Sequence, residues 1–314
     1  MPLRKMPNFI PPMLATLIKQ PFDDENWIFE IKFDGYRALA FINHKHVQLK
    51  SRNNQLWNTK FPSIVASLEK IHSQVIFDGE LVVLDAKGKS HFQWMQNYQR
   101  EHKGNLYYYI FDLLYKDGKD LRELPLIERK ALLKKYVKKL ALPKLRFSQH
   151  LFGKGKAFFK QATKAHLEGI IGKRALSTYQ SRRSLDWVKM KNILRQEVVI
   201  GGFTQPKGSR TKFGALLVGV YNNQKELDFI GRVGGGFDAA VLQEVHRQLK
   251  PLIQKKNPFK NHPKISATWV KPQLVCEVSF TEWTQNNNMR HPIFQGLRID
   301  KRPKDVKKEI PKGR

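Results

Sequence analysis

Three stretches of this chain place charges at alternate positions of otherwise apolar strands, a design that few surroundings tolerate. In WIFEIKFDG, Trp27, Phe29, Ile31 and Phe33 fall on one side of an extended chain, and Glu30, Lys32 and Asp34 on the other. The period of two marks a half-buried strand that ends at Gly35. FDGELVV repeats the pattern, with Asp78 and Glu80 opposite Phe77, Leu81 and Val83. DWVKMKN does so again, with Trp187, Lys189 and Lys191 opposite Val188 and Met190. Charges at i and i+2 on such strands are costly unless they pair or line a cleft. One instance reads as a solvated sheet face; three with complementary signs read as a shared site. Acids at Glu30, Asp34 and Glu80 with bases at Lys32, Arg37, Lys189 and Lys191 suit a nucleoside triphosphate with a divalent metal.

Around these strands the chain has an α+β texture. Residues 25–115 are mostly strand, with a short helix pattern at 61–72, and amphipathic helices are expected at 124–140 and 155–167 before GIIGKR and DWVKMKN return to strand. From Arg195 the strands become short, are separated by Gly, Asn and Pro turns, and are joined by one helix pattern at 239–253. That suits a small oligonucleotide-binding (OB) barrel. The expected division is 1–194, 195–302 and a charged, core-free, mobile tail at 303–314.

The partner class follows from charge. Fifty-seven Lys and Arg against 27 Asp and Glu give +30, spread over both halves, which favours an extended polyanion over a local acidic patch. A hydrophobic content of 41% rules out a disordered basic tail. Cys276 is the sole cysteine, so neither a disulfide framework nor a CxxC zinc site is available. No apolar run approaches the ~20 residues of a membrane span, and the first residues lack a signal-peptide shape. The expectation is a cytoplasmic, nucleoid-associated protein.

The residues also resemble a known family in order. EIKFDGYR (30–37) matches the KxDGxR signature of covalent nucleotidyltransferases, the ATP-dependent DNA ligases and their relatives. SRNN (51–54) resembles the next block, with Asn54 where glycine is usual; asparagine tolerates positive φ better than most residues. DGE (78–80), FDLLY (111–115), EGIIGK (168–173), DWVKMK (186–191) and RIDK (298–301) follow. The resemblance spans roughly residues 8–302, and its wording is most similar to the ligase domain of bacterial end-joining ligases.

That resemblance implies a nucleotidyltransferase (adenylation) domain of antiparallel sheets with flanking helices, followed by an OB barrel. It implies an enzyme that seals nicks between a 3′-hydroxyl and a 5′-phosphate, with ATP and Mg2+ (or Mn2+). Lys32 would carry AMP, Glu30 would read the adenine amino group, Phe111 would stack on the ring, and Arg37 with Glu80 would hold the ribose. Arg52 would touch ribose or phosphate. Glu80 and Glu168 would organise metal, and Lys189 and Lys191 would stabilise the α-phosphate. Arg298 and Lys301 would meet the leaving pyrophosphate. For Lys173 a solvated strand-end position and a site role are equally open. A lysine attacks phosphorus only as the neutral amine, which neighbouring cations favour and carboxylates oppose.

The basic loop Lys207, Arg210, Lys212 is expected to contact DNA phosphates. The implied partners are nicked duplex DNA and a Ku-type end-binding protein or a separate repair polymerase, with no membrane contact, and the chain is expected to be monomeric. An RNA ligase or capping-type transferase, and an inactive nucleic-acid-binding module, are the alternatives. GGGFDA (234–239) fits GxGxxA, but no acid lies about 20 residues on, so a dinucleotide site is not expected.

Overall fold

A computed structural model describes residues 5–90, 92–206, 208 and 211–311. They divide near Asn192 into two compact units, the second comprising Ile193–Ile310. The architecture is α+β, as expected: mostly sheet, with five α-helices among the described residues.

The first unit begins β1 (Leu14–Leu17), β2 (Asp24–Ile31), β3 (Tyr36–Asn43), β4 (His46–Ser51), α1 (Pro62–Leu68), β5 (Val75–Leu84) and α2 (Phe92–Glu101). It continues β6 (Asn105–Lys116), β7 (Lys119–Asp120), α3 (Leu126–Leu140), β8 (Leu145–Phe147), β9 (His150–Gly153), α4 (Gly155–Lys164), β10 (Gly169–Arg174) and β11 (Arg183–Lys191). One sheet runs β1-β11-β10-β2-β9; the other runs β4-β3-β5-β6-β7, with β8 parallel to β6.

Each strand's parity decides which core it feeds. Trp27, Phe29, Ile170, Val188 and Met190 pack on the α4 side of the first sheet. Ile28 and Trp187 join Leu39, Phe41, Ile76 and Phe111 in a core between the two sheets. The outer face of the second sheet packs against α1 and α3 through Phe77, Leu81, Ile64, Leu68 and Leu133. Both faces of β5 are therefore covered, and Asp78 is fully buried.

Helix α3 shows why this arrangement needs more than an apolar stripe. Its buried face is Leu126, Arg129, Lys130, Leu133 and Val137, so two cations occupy stripe positions. Pro125 precedes the helix as its N-cap, Lys138 and Lys139 sit in the last turn where cations suit the dipole, and Ala141 ends it in the left-handed region at φ 49. Helix α2 was not expected from the sequence; its Gln- and Asn-rich FQWMQNYQRE lacks an aliphatic stripe.

The second unit comprises β12 (Leu194–Phe203), β13 (Leu216–Tyr221), β14 (Leu227–Val233), α5 (Ala239–Leu249), β15 (Ile253–Gln254), β16 (Thr268–Val270), β17 (Val275–Phe280) and β18 (Ile293–Leu297). The order β14-β13-β12 continues through β17 to β18. A bridge between Gly235 and Ile293, with Phe294 N donating to Gly235 O at 3.0 Å, ties β18 back to the end of β14. The sheet thus closes on itself around Val198, Ile200, Val218, Ile230 and Val278, as a small barrel must. The Gly-rich stretch before α5 is a cap: Asp238 Oδ1 accepts from Val241 N at 2.8 Å. The expectation of a core-free tail is corrected, because Val306 is 1% exposed within the barrel core and its carbonyl accepts from Tyr221 N at 2.8 Å.

Candidate active site

Antiparallel register places the charged strand positions in cross-strand rows on one face of the first sheet. Lys189 of β11 lies opposite Ile171 of β10, which lies opposite Glu30 of β2. Trp187, Lys173 and Ile28 form the next row. Lys191 lies opposite Gly169, whose carbonyl accepts from Lys32 N at 3.0 Å and extends the ladder past the end of β2. Lys32 Nζ forms an ion pair with Glu168, which is 6% exposed. Gly169 permits the close approach of β10 to β11: it sits at φ +152, and a Cβ there would stand 2.0 Å from Met190 O. Gly35 is required for the same kind of reason, since its Cβ would meet Leu81 O at 2.0 Å.

Glu30 is 2% exposed, and both its oxygens are engaged. Lys130 Nζ donates to Oε1 at 2.7 Å, while Ser148 Oγ at 2.9 Å and Lys173 Nζ at 3.1 Å donate to Oε2. Burial alone would raise its pKa, but Lys130 and Lys173 outweigh that and hold it below the ordinary value. Lys173 is no solvated strand-end lysine. It is 2% exposed, with its ammonium 4.2 Å from the ring centres of both Phe111 and Trp187. Burial lowers its pKa to about 8, against the opposing pull of Glu30.

On the second sheet Arg37, Glu80 and Tyr109 share one cross-strand row, and Leu39, Asp78 and Asp112 the next. Arg37 is committed to Asp78 in a bidentate pair, Nε to Oδ1 at 2.8 Å and Nη2 to Oδ2 at 2.6 Å, and to Met13 O at 2.8 Å. The expected ribose contact is left to its remaining N–H groups. Tyr179 OH completes the cluster, donating to Asp78 Oδ2 at 2.7 Å. Two register shifts in β6, opposite Ile76/Phe77 and Asp78/Gly79, leave Leu114 and Phe111 as the extra residues and turn both into the inter-sheet core. The Phe111 ring is 9% exposed, edge-on to Trp187 at 6.0 Å, with Arg37 5.0 Å and Lys173 4.2 Å over it.

The turn after β4 holds Arg52 half-buried, and Asn54 takes the left-handed conformation, φ 63, that glycine would supply. Arg298 and Lys301 belong to the second unit. Arg298 is bidentate to Asp300 at 2.8 and 2.7 Å and reaches Glu277 at 2.8 Å, and Lys301 pairs with Glu197. Glu197 and Glu277 are direct cross-strand partners, so the two cations separate like charges. Lys301 and Arg298 overcome burial to bring Glu197 down to about 2. Of the expected DNA-contacting loop, Lys207 and Arg210 lie outside the described residues; Lys212 is exposed.

Among the described residues no cluster of three or more His, Cys, Asp or Glu could hold a metal. A magnesium that arrives with phosphates needs only one or two carboxylates beside the substrate oxygens; of the two expected, Glu168 is engaged by Lys32. The sequence reading missed Lys130, Ser148 and Tyr179. Lys130 carried one signal, a cation on the stripe Leu126, Leu133, Val137; Ser148 and Tyr179 carried none.

A cavity of about 390 Å³ opens beyond the end of β2, lined by Ile31, Phe33, Tyr109, Phe147, His150 and Phe158 among others. Burial and Lys130 lower the His150 pKa to about 4. Below 6.5 the unfolded chain therefore binds a proton that the folded chain does not, and stability should fall as pH drops from 6.5 to 4. Thermal melting at pH 7.5 and pH 5 should show His150→Gln losing less than the unsubstituted protein; equal losses would refute this.

Comparison with known proteins gives concordant matches. The family described as "ATP dependent DNA ligase domain" matches residues 12–191, and "ATP dependent DNA ligase C terminal region" matches residues 209–301. The "Multifunctional non-homologous end joining protein LigD" of Pseudomonas aeruginosa is 43% identical over 316 residues, covering 98% of this chain and 38% of that protein. The protein of the same name from Mycolicibacterium smegmatis is 36% identical over 312 residues, covering 96% and 40%. The chain thus spans less than half the length of either relative. A solved structure, "mycobacterial DNA ligase D complexed with ATP and MES", matches with TM-score 0.72 at 36% identity, covering 96% of this chain and 98% of that one.

Proposed function

Because the chain belongs to the ATP-dependent DNA ligase family, we propose that it seals nicks in duplex DNA through an AMP adduct on Lys32. The observation that supports this most is the setting of Lys32: at the end of β2, paired with Glu168, in the cross-strand row that carries Lys191 and next to that of Lys189.

Three transfers follow. Lys32 Nζ leaves its ion pair, loses a proton and attacks the α-phosphorus of ATP; the N–P bond forms as the bond to the β-phosphate oxygen breaks, and pyrophosphate departs. A 5′-phosphate oxygen of the nick then attacks the same phosphorus, and the N–P bond breaks. Finally the 3′-hydroxyl attacks the 5′-phosphorus, and AMP leaves. Lys189 and Lys191 are assigned to the negative charge that builds on the α-phosphate, where preorganised cations act without reorganising. Glu30 is assigned to the adenine amino group, Phe111 to the ring, Arg37, Arg52 and Glu80 to ribose and phosphate, and Arg298 and Lys301 to pyrophosphate. Mg2+ held by Glu80, Glu168 and the nucleotide phosphates would supply further charge neutralisation.

We place the reaction in end joining, at the bacterial nucleoid, with a Ku-type partner or a separate polymerase; the end-joining name of the Pseudomonas relative supports the pathway. Among the described residues no helix is long and apolar enough to cross a membrane. Lys212 and its loop are assigned to DNA phosphates. Joining of matched nicks in DNA and in RNA, with ATP, tests the reading. Efficient joining of the DNA nick is expected; joining confined to RNA would replace it with the RNA ligase alternative.

A further inference from the structure

Lys130 belongs to none of the blocks that carry the family likeness, yet its ammonium joins the two residues assigned to the base. It is 1% exposed, and each of its three donors has a partner: Glu30 Oε1 at 2.7 Å, Ser148 O at 3.1 Å and Phe111 O at 3.5 Å. Phe111 is the extra residue of a β-bulge, so the carbonyl that Lys130 holds belongs to the backbone kink that aims the Phe111 ring. Ser148 returns the contact by donating its hydroxyl to Glu30 Oε2 at 2.9 Å. One side chain from α3 therefore braces β2, the β6 bulge and the end of β8 together.

We infer that Lys130, with Ser148, is a positioning residue for adenine recognition, fixing the plane of the Glu30 carboxylate and the seat of Phe111. The inference rests on the assignment of Glu30 to the adenine amino group. The terminal torsion of a glutamate is broad, so its oxygens point only where their partners hold them. Lys130 on one oxygen and Ser148 with Lys173 on the other leave a single orientation. A carboxylate fixed in this way accepts from the 6-amino group of adenine. It meets the 6-oxo group of guanine acceptor to acceptor, so the wrong base is rejected by an unpaired buried contact. A loosely held carboxylate could turn away and blunt that rejection.

The test is self-adenylation or self-guanylation with labelled ATP or GTP, measured as kcat and KM for each nucleotide. Lys130→Met should raise the KM for ATP and reduce the preference for ATP over GTP by about 10- to 100-fold, the scale of a misplaced contact. Lys130→Arg should recover part of that preference. Ser148→Ala, which keeps the Lys130–Glu30 ion pair, should shift the ratio in the same direction even if Lys130→Met fails to fold. A fall with both nucleotides in equal proportion would mean that Lys130 only supports the fold, and would overturn the inference. Glu30→Gln separates the two levels. If it retains the preference, the base-reading assignment itself is wrong. If it loses the preference while Lys130→Met and Ser148→Ala keep it, only the positioning role is wrong.

Discussion

Lys32→Ala is expected to abolish the protein–AMP adduct formed with labelled ATP, and with it the joining of unadenylated nicks, by on the order of 10⁴-fold or more, as for loss of a nucleophile. Lys32→Arg should fail equally, because a guanidinium stays charged at any working pH and offers no lone pair. The wild-type adduct should be labile to acid and stable to alkali, as a P–N bond requires. The loss should be specific to transfers through the lysine. In the last step the nick already carries AMP and the nucleophile is the 3′-hydroxyl, so a pre-adenylated nick should still be sealed by Lys32→Ala. An adduct that persists in either variant would move the nucleophile elsewhere. Because Lys32→Ala also removes the ion pair with Glu168, melting of the variant has to accompany the assay.

Arg129→Met should be the most damaging change away from the chemistry. Arg129 and Asp112 are both 0% exposed and joined by two bonds of 2.8 Å. Removing one partner of such a pair strands the other charge in the core, at a cost of about 3–5 kcal/mol. For a unit of this size that corresponds to a fall of roughly 10 °C in the melting transition of the first unit. Asp112→Leu combined with Arg129→Met should recover much of the loss, since an apolar pair of similar volume fills the space without a stranded charge. A single substitution that leaves the melting temperature within about 2 °C would contradict the burial argument.

The sequence made the first sheet's charged face legible because side-chain parity survives pairing. Alternation put Glu30, Lys189 and Lys191 on one side, and register brought them into rows. It failed where the backbone departs from alternation or where a partner is distant. Strict parity would separate Phe111 from Leu114 across β6; two bulges put both into the same core. Arg37 could be placed in the cleft, but nothing in its neighbourhood announced that Asp78, 41 residues on, would take its fork. Lys130 meets Glu30 across 100 residues of chain. Helix α3 reads as amphipathic, but the lysines around Arg129 and Lys130 hide that these two cations turn inward. The barrel was legible from short strands and turns, whereas the burial of Val306 was not, since a single valine among charges carries no periodicity.

The opposed carboxylates of β12 and β17 have a consequence for where this chain can be shortened. Glu197 and Glu277 face each other, and their counter-ions come from Arg298 and Lys301, immediately after the last barrel strand. A cut after Leu297 would leave every strand in place and still remove both cations, setting two acids against each other in a partly dry wall. Domain boundaries drawn at the end of the final strand would then yield a protein weakened by electrostatic self-repulsion as well as by the loss of Val306 from the core. The RIDK segment thus latches the barrel, and a minimal barrel must carry it.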